Sequence, residues 1–323
     1  MAHEWDSGWV AHTAAWHNLA DIKGERPTTW EEARKGYLDW EPETHRVFQY
    51  DPQLNNYVPI QGWQRVARSD NDFTLTIQEE SYAVISNAEF GSIIEYIMGV
   101  DLPGMPGLKF ETLCVLRKGR IIAVSLFMEE PFQVPGDPSQ SYGFINVWTR
   151  HDGQGGLKGG AGTFRVVCAN TQRASEAAMD KHGFVFNVRH TVNWADKIED
   201  ARRGIVMTIG GIKAQQELAT QMAGRRLDRS EVIGFVERWL PLKDDMSVRQ
   251  RQNVEDRRSA FWKAYNSATC EGITGTLYGV TQAAIEACDH YFPAHNEETR
   301  AARIMLGDHG PKARALAVAR RWM

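Results

Sequence analysis

The spacing of apolar positions along this chain changes once. Up to about residue 195 they fall in short alternating or continuous runs of strand length, broken by turn residues. Beyond that point they recur every three to four residues. Two helices interrupt the first part. Thr28-Thr29-Trp30-Glu31-Glu32 repeats the Thr-x-x-Glu capping pattern and predicts a short helix to about Lys35. Ser86-Asn87-Ala88-Glu89 precedes Phe90, Ile93, Ile94 and Ile97 and predicts an amphipathic helix ending near Gly99. Residues 42–63 mix Pro, Asn and Gly with alternating Val and Tyr, which reads as short strands or an ordered arm.

The middle of the chain reads as a β-meander. Thr112 to Leu116, Ile121 to Met128, Tyr142 to Thr149 and Thr163 to Cys168 have strand length, separated by a tight turn at 117–120, a Pro-rich loop at 134–138 and a glycine-rich stretch at 153–162. Asn170-Thr171 is placed to cap a helix running to Gly183. Further helices fit Ser230–Leu240, Val248–Tyr265, Thr276–Tyr291, Glu297–Leu306 and Pro311–Trp322, the last with proline in its first turn. The expected fold is α+β: an antiparallel β-meander with packed helices, followed by a helical C-terminal half. The expected division is 1–198 and 199–323.

Composition narrows the function classes. The chain has 323 residues, 42% hydrophobic and 24% charged, with net charge −4, the proportions of a globular protein rather than a disordered or globally basic one. Cys114, Cys168, Cys270 and Cys288 form neither a disulfide framework nor a C-x-x-C pair. No signal peptide or membrane span is expected, because the first residues lack a basic region followed by an apolar stretch and no apolar run approaches 18 residues. This points to the cytoplasm. Charge is unevenly placed. Residues 70–111 hold eight acids against Lys109, whereas 144–175 hold Arg150, Lys158, Arg165 and Arg173 against Asp152. Residues 202–258 hold twelve bases and eight acids, and 299–323 hold six bases and one acid.

The sharpest local feature is Gly153-Gln154-Gly155-Gly156-Leu157-Lys158-Gly159-Gly160-Ala161-Gly162. It is neither a phosphate-binding P-loop nor a dinucleotide fingerprint. It reads either as a mobile hairpin connection or as a flap carrying Lys158 over a bound backbone. With Arg150, Arg165 and Arg173, and with Trp148 as a stacking surface, it would line a phosphate groove. The residues His151, Asp152, Gly153, Asn170 and Thr171 form a candidate ligand loop, since a helix beginning at Asn170 would present free amides to an anion. A His-Asp pair such as His151-Asp152 can also orient an imidazole for base work, though no nucleophile motif accompanies it. Cys288, Asp289, His290 and His295 lack the spacing of a metal set. No catalytic residue, metal or cofactor is assigned.

Several segments together resemble the phage/plasmid-like protein family, a domain of unknown function. They are Ala15-Trp16-His17-Asn18-Leu19, Leu38-Asp39-Trp40, His151-Asp152-Gly153 followed by Arg165-Val166-Val167-Cys168-Ala169-Asn170-Thr171, and Gly275-Thr276-Leu277-Tyr278-Gly279-Val280 through Asp289-His290. Asn18, Tyr278 and Gln282 stand where the family has Gly, Trp and Asn. The resemblance implies a phage, prophage or plasmid protein in a bacterial cytoplasm. The meander with a basic glycine-rich hairpin is similar to the core of phage single-strand annealing proteins. The expected function is therefore single-stranded DNA binding with strand annealing, by a homo-oligomeric ring or filament and without nucleotide hydrolysis. Two alternatives stand beside it. One is a non-enzymatic accessory protein that binds a host defence or replication protein through the acidic 70–111 region. The other is a nucleotide- or nucleic-acid-processing enzyme built on His151-Asp152.

Overall fold

In the computed structural model the described residues are 5–11, 21–99, 107–165, 170–173, 185–188, 190, 212–295, 300 and 310–323. The chain divides into two compact units. Unit 1 comprises Met1–Phe127, Ile145–Gly160 and Val185–Met207. Unit 2 comprises Met128–Phe144, Ala161–Phe184 and Thr208–Met323. The units therefore do not follow one another along the chain, and the boundary expected at 198/199 lies outside the described residues.

The meander is present, with longer strands than expected: β6 (Leu108–Leu116), β7 (Ile121–Gln133), β8 (Gln140–Arg150) and β9 (Leu157–Arg165). They lie in an eight-stranded sheet of order β10-β9-β8-β7-β6-β1-β2, with β11 (Val185–Val188) also paired to β9. The tight turn between β6 and β7 places Arg117, Lys118 and Gly119 at positive φ (53°, 61° and 87°). Strands β1 (Trp5–Val10) and β2 (Asp21–Ile22) extend this sheet beyond β6. A second sheet, of order β3-β4-β5, consists of β3 (Pro42–Asp51), β4 (Asn56–Arg68) and β5 (Thr74–Glu79).

Two expectations at the glycine stretch are corrected. Gly159, Gly160 and Gly162 are strand residues of β9, so the connection after β8 is confined to 151–156. Asn170–Arg173 is strand β10, in antiparallel register with β9 (Asn170↔Arg165, Arg173↔Gly162), and not a helix start. A strand here offers no helix N-terminus to an anion. The helix expected to follow falls outside the described residues.

In unit 1, both sequence-predicted caps form. Thr29 accepts from the Glu32 amide to begin α1 (Trp30–Arg34). Ser86 and Glu89 close a full capping box on α2 (Asn87–Met98). Both helices bury an indole between them: Trp30 meets Phe90 edge-on at 5.6 Å and tilts over Phe110 at 6.5 Å. Gly91 lets the helix approach this ring, for a Cβ there would sit 1.9 Å from Trp30 Cδ1. Trp9 from β1 ties the same layer together by donating from Nε1 to the Ala33 carbonyl at 2.7 Å.

Unit 2 contains helices α3 (212–224), α4 (Arg229–Trp239), α5 (Val248–Tyr265), α6 (Leu277–Glu286) and α7 (Pro311–Arg320). A single π-turn, Ala287–Tyr291, extends α6. All ten residues of α6 are buried. Trp239 anchors the surrounding core, stacked on Phe292 at 5.8 Å, edge-on to Phe261 at 6.0 Å and donating to the Pro311 carbonyl at 2.7 Å.

Gly91→Ala is expected to lower stability by about 1–3 kcal/mol through overpacking against Trp30, although alanine in a helix interior otherwise gains about 1 kcal/mol over glycine. Urea unfolding followed by tryptophan fluorescence checks this. An unchanged or higher midpoint would contradict the packing described.

Candidate functional site

Strand β8 ends with Thr149 and Arg150, and the turn that follows it carries His151 and Asp152, all in unit 1. Arg150 binds Asp152 in a two-pronged pair (3.0 and 2.6 Å) and reaches Gln154 at 3.2 Å. Asp152 also accepts from the Gln154 amide at 3.0 Å, closing the turn before β9. Gly153 has φ +71°, and its missing side chain leaves room for Gln78, whose Nε2 would lie 2.1 Å from a Cβ. Burial raises the Asp152 carboxyl, but the Arg150 bonds, with the Gln154 amide, hold it below its ordinary value overall.

The adjacent histidine is held by different partners. Asn87, the first residue of α2, donates from Nδ2 to the Trp40 carbonyl at 2.8 Å, which turns its Oδ1 toward His151 Nε2 at 3.2 Å. The amide orientation makes His151 the Nε2–H tautomer. Its ring is fully buried and meets Trp40 edge-on at 6.1 Å. A second histidine, His190, faces the Ala83 carbonyl through Nδ1 at 3.0 Å and the Thr149 hydroxyl through Nε2 at 3.5 Å. Tyr82 stacks on it at 5.0 Å and donates to the Arg150 carbonyl at 3.1 Å. Burial first, and the neighbouring His190 second, depress the His151 pKa to about 3. Burial likewise lowers His190.

This geometry binds together two chain-distant segments, 82–87 and 149–154, and does not form a base-orienting pair. Asp152 bonds Arg150 and the turn, while His151 bonds Asn87. A groove of about 620 Å³ lined by Pro42, His45, Tyr82, Ala83, Val84 and Ser86 opens nearby, and His151 is not among its walls. Trp148 is 3% exposed, so it offers no ring face to a base and leaves the set of stacking residues. Arg150 is already neutralised by Asp152, which removes it from the expected groove. Lys158 lies half-buried on β9, opposite Asn187 of β11. Arg165 and Arg173 occupy the β9–β10 hairpin, in register with Asn170 and Gly162. Their side chains lie outside the described residues. His151, Asp152 and Gly153 belong to unit 1 and Asn170 and Thr171 to unit 2.

Unit 2 has a polar stripe that sequence reading passed over. Gln282, Glu286 and Asp289 recur at four and three residues on the wholly buried α6 and its π-turn. Thr269 donates to Glu286 at 2.5 Å, and Lys312 of α7 forms a buried ion pair with Asp289. Strand β10 lies against α6, so the Asn170–Thr171 block and the 275–290 block meet in this unit. Among the described residues no group of three or more His, Cys, Asp or Glu side chains is arranged to hold a metal ion.

A family described as "Domain of unknown function (DUF932)" matches residues 74–305, more than half of the chain. The chain belongs to the DUF932 family. No curated protein and no solved structure matches it. The DUF932 segment contains Tyr82, Asn87, His151 and His190 of the histidine network but not Trp40, together with the β9–β10 hairpin and the α6 stripe. The β3–β4 hairpin and helix α7 lie outside it.

Helix α7 and its C-terminal cap carry a cluster of exposed positive charge. Lys312, Ala315 and Ala319 face inward, and Arg314, Arg320 and Arg321 are exposed. Beside them Arg238 of α4 lies over the Trp322 ring at 5.2 Å. None of these four arginines has a carboxylate partner among the described residues. In unit 1, by contrast, Arg26, Arg34, Arg65, Arg68 and Arg150 all bond carboxylates.

The depressed histidines give the DUF932 chain a pH-dependent stability. A histidine whose folded pKa lies below the unfolded 6.5 binds fewer protons when folded. Its contribution is complete above pH 6.5 and is lost as pH falls toward 3. Between pH 6.5 and 4.5 the wild type should lose about 1 kcal/mol per pH unit for His151 alone, and His151→Gln should flatten that slope. Equal slopes in urea titrations would contradict a buried neutral His151.

Proposed function

We propose that this protein binds single-stranded nucleic acid through the outer face of α7 and the adjoining end of α4, as a strand-annealing protein of a phage or other mobile element. One observation carries the reading: Arg238, Arg314, Arg320 and Arg321 are gathered on one part of unit 2 and, among the described residues, have no carboxylate partner. Arginines in that state gain affinity for a phosphate backbone by releasing its counterions. The sequence adds support, since 299–323 holds six bases and one acid. The contact is thereby moved from the glycine hairpin, where Arg150 is paired and Trp148 is core, to the C-terminal helix. Binding of this kind needs no nucleotide hydrolysis, in keeping with a sequence that has no P-loop. The mobile-element setting rests on the phage/plasmid-like resemblance of the 151–171 and 275–290 blocks.

The test is anisotropy of a labelled 30-nucleotide single strand over a salt series. Four phosphate contacts give a slope of about −3 in log K against log salt, and Arg314→Gln/Arg320→Gln/Arg321→Gln should flatten it by about 2. Arg150→Gln should leave the slope as it is. No binding at low salt, or a triple variant with the wild-type slope, would overturn the proposal.

A further inference from the structure

The β3–β4 hairpin has an unusual surface. None of residues 43–65 is buried. Phe48, Tyr50, Leu54, Tyr57 and Trp63 are between 44% and 68% exposed. Strand β5 pairs only with Trp63–Ala67 of β4. From Phe48↔Pro59 to Asp51↔Asn56 the hairpin is therefore a two-stranded ribbon without a third strand. Such a ribbon is marginal in water unless something covers it, and exposed aromatic clusters on soluble proteins mark contact sites.

Charge decides what covers it. Between Thr44 and Gln64 the formal charges are Arg46 and Asp51 alone, which cancel. A nucleic-acid surface would need several cations beside its aromatics, and an acidic or basic protein partner would need the opposite charge. A neutral arm on a chain of net charge −4 suits a second neutral arm, because it is where two like-charged copies approach without repulsion. The two ribbon edges also differ. Pro59 removes a donor from the free edge of β4. Beyond its first residue the edge strand β3 holds no proline and no lysine, so its N–H and C=O groups stay open for pairing.

We propose that the β3–β4 arm joins two copies of this chain, β3 pairing antiparallel with β3 of the second copy about a two-fold axis. Antiparallel pairing of a strand with itself satisfies two-fold symmetry directly, and the same patch then meets its own copy. Phe48 and Tyr50, on the same face as Tyr57 and Pro59 by register, pack across the axis. Tyr50 and Tyr57 are held for this by their own edge-on contact at 5.6 Å. The proposal stands apart from the nucleic-acid reading, because it uses unit 1 residues and no cation.

The experiment is light-scattering mass of the full chain over a concentration series. The wild type should show at least a dimer. Tyr50→Lys/Tyr57→Lys should be monomeric, as should Tyr50→Glu/Tyr57→Glu. These side chains are more than half exposed, so each variant should keep its circular dichroism. Mixing the two variants should restore the assembled mass, because only an arm meeting another arm brings lysine to glutamate. A monomeric wild type, variants of wild-type mass, or a mixture that stays monomeric would each overturn the proposal. So would variants that lose oligonucleotide binding at unchanged mass, which would make the arm a stacking surface instead.

Discussion

Lys312 and Asp289 form an ion pair inside unit 2 with 7% and 2% of their side chains exposed. A buried ammonium is tolerated only beside a carboxylate, and breaking such a pair costs about 3–5 kcal/mol. The pair therefore fixes the rotation of α7. With Lys312 inward, Ala315 and Ala319 follow it three and seven residues on, against the core that surrounds α6. Arg314, Arg320 and Arg321 are left on the outer face. The basic surface is thus a consequence of one internal charge pair and the helical period.

The same rule, that a charge is satisfied once, works in the opposite sense in unit 1. There several arginines are committed to nearby acids: Arg68 to Asp6 and Asp70, Arg65 to Asp72, Arg34 to Glu41 and Arg150 to Asp152. The acidic excess of 70–111 is partly spent in this way, through Asp70, Asp72 and Glu111. The two buried histidines follow a related logic. Neutral rings can be enclosed where charged ones cannot: Asn87 bonds His151 Nε2, and Ala83 and Thr149 face the two nitrogens of His190, while His151 Nδ1 is buried without a hydrogen-bond partner among the described residues.

Local signals were legible wherever the physics is local. The Thr29 and Ser86 caps, the 117–120 turn and the span Val248–Tyr265 follow from short-range hydrogen bonding and a 3.6-residue period, and all are present. Asn170 was misread because the same side chain serves a helix cap or a strand end, and only the non-local ladder to Arg165 decides between them. Arg150 and Trp148 were misplaced for a similar reason. Sequence shows charge and aromaticity but not whether Asp152 is turned toward the guanidinium or whether the indole faces the core. The α6 stripe carried a signal, polar residues at 282, 286 and 289 within an apolar helix. Its meaning depended on Lys312, more than twenty residues away.

The central claim is that nucleic acid meets the outward face of α7. Photo-crosslinking with a 4-thiothymidine single strand, followed by peptide mapping, tests it most directly. The account predicts adducts on peptides from 311–323 and from the end of α4 near Arg238. Adducts confined to 145–173, or none at low salt, would contradict it.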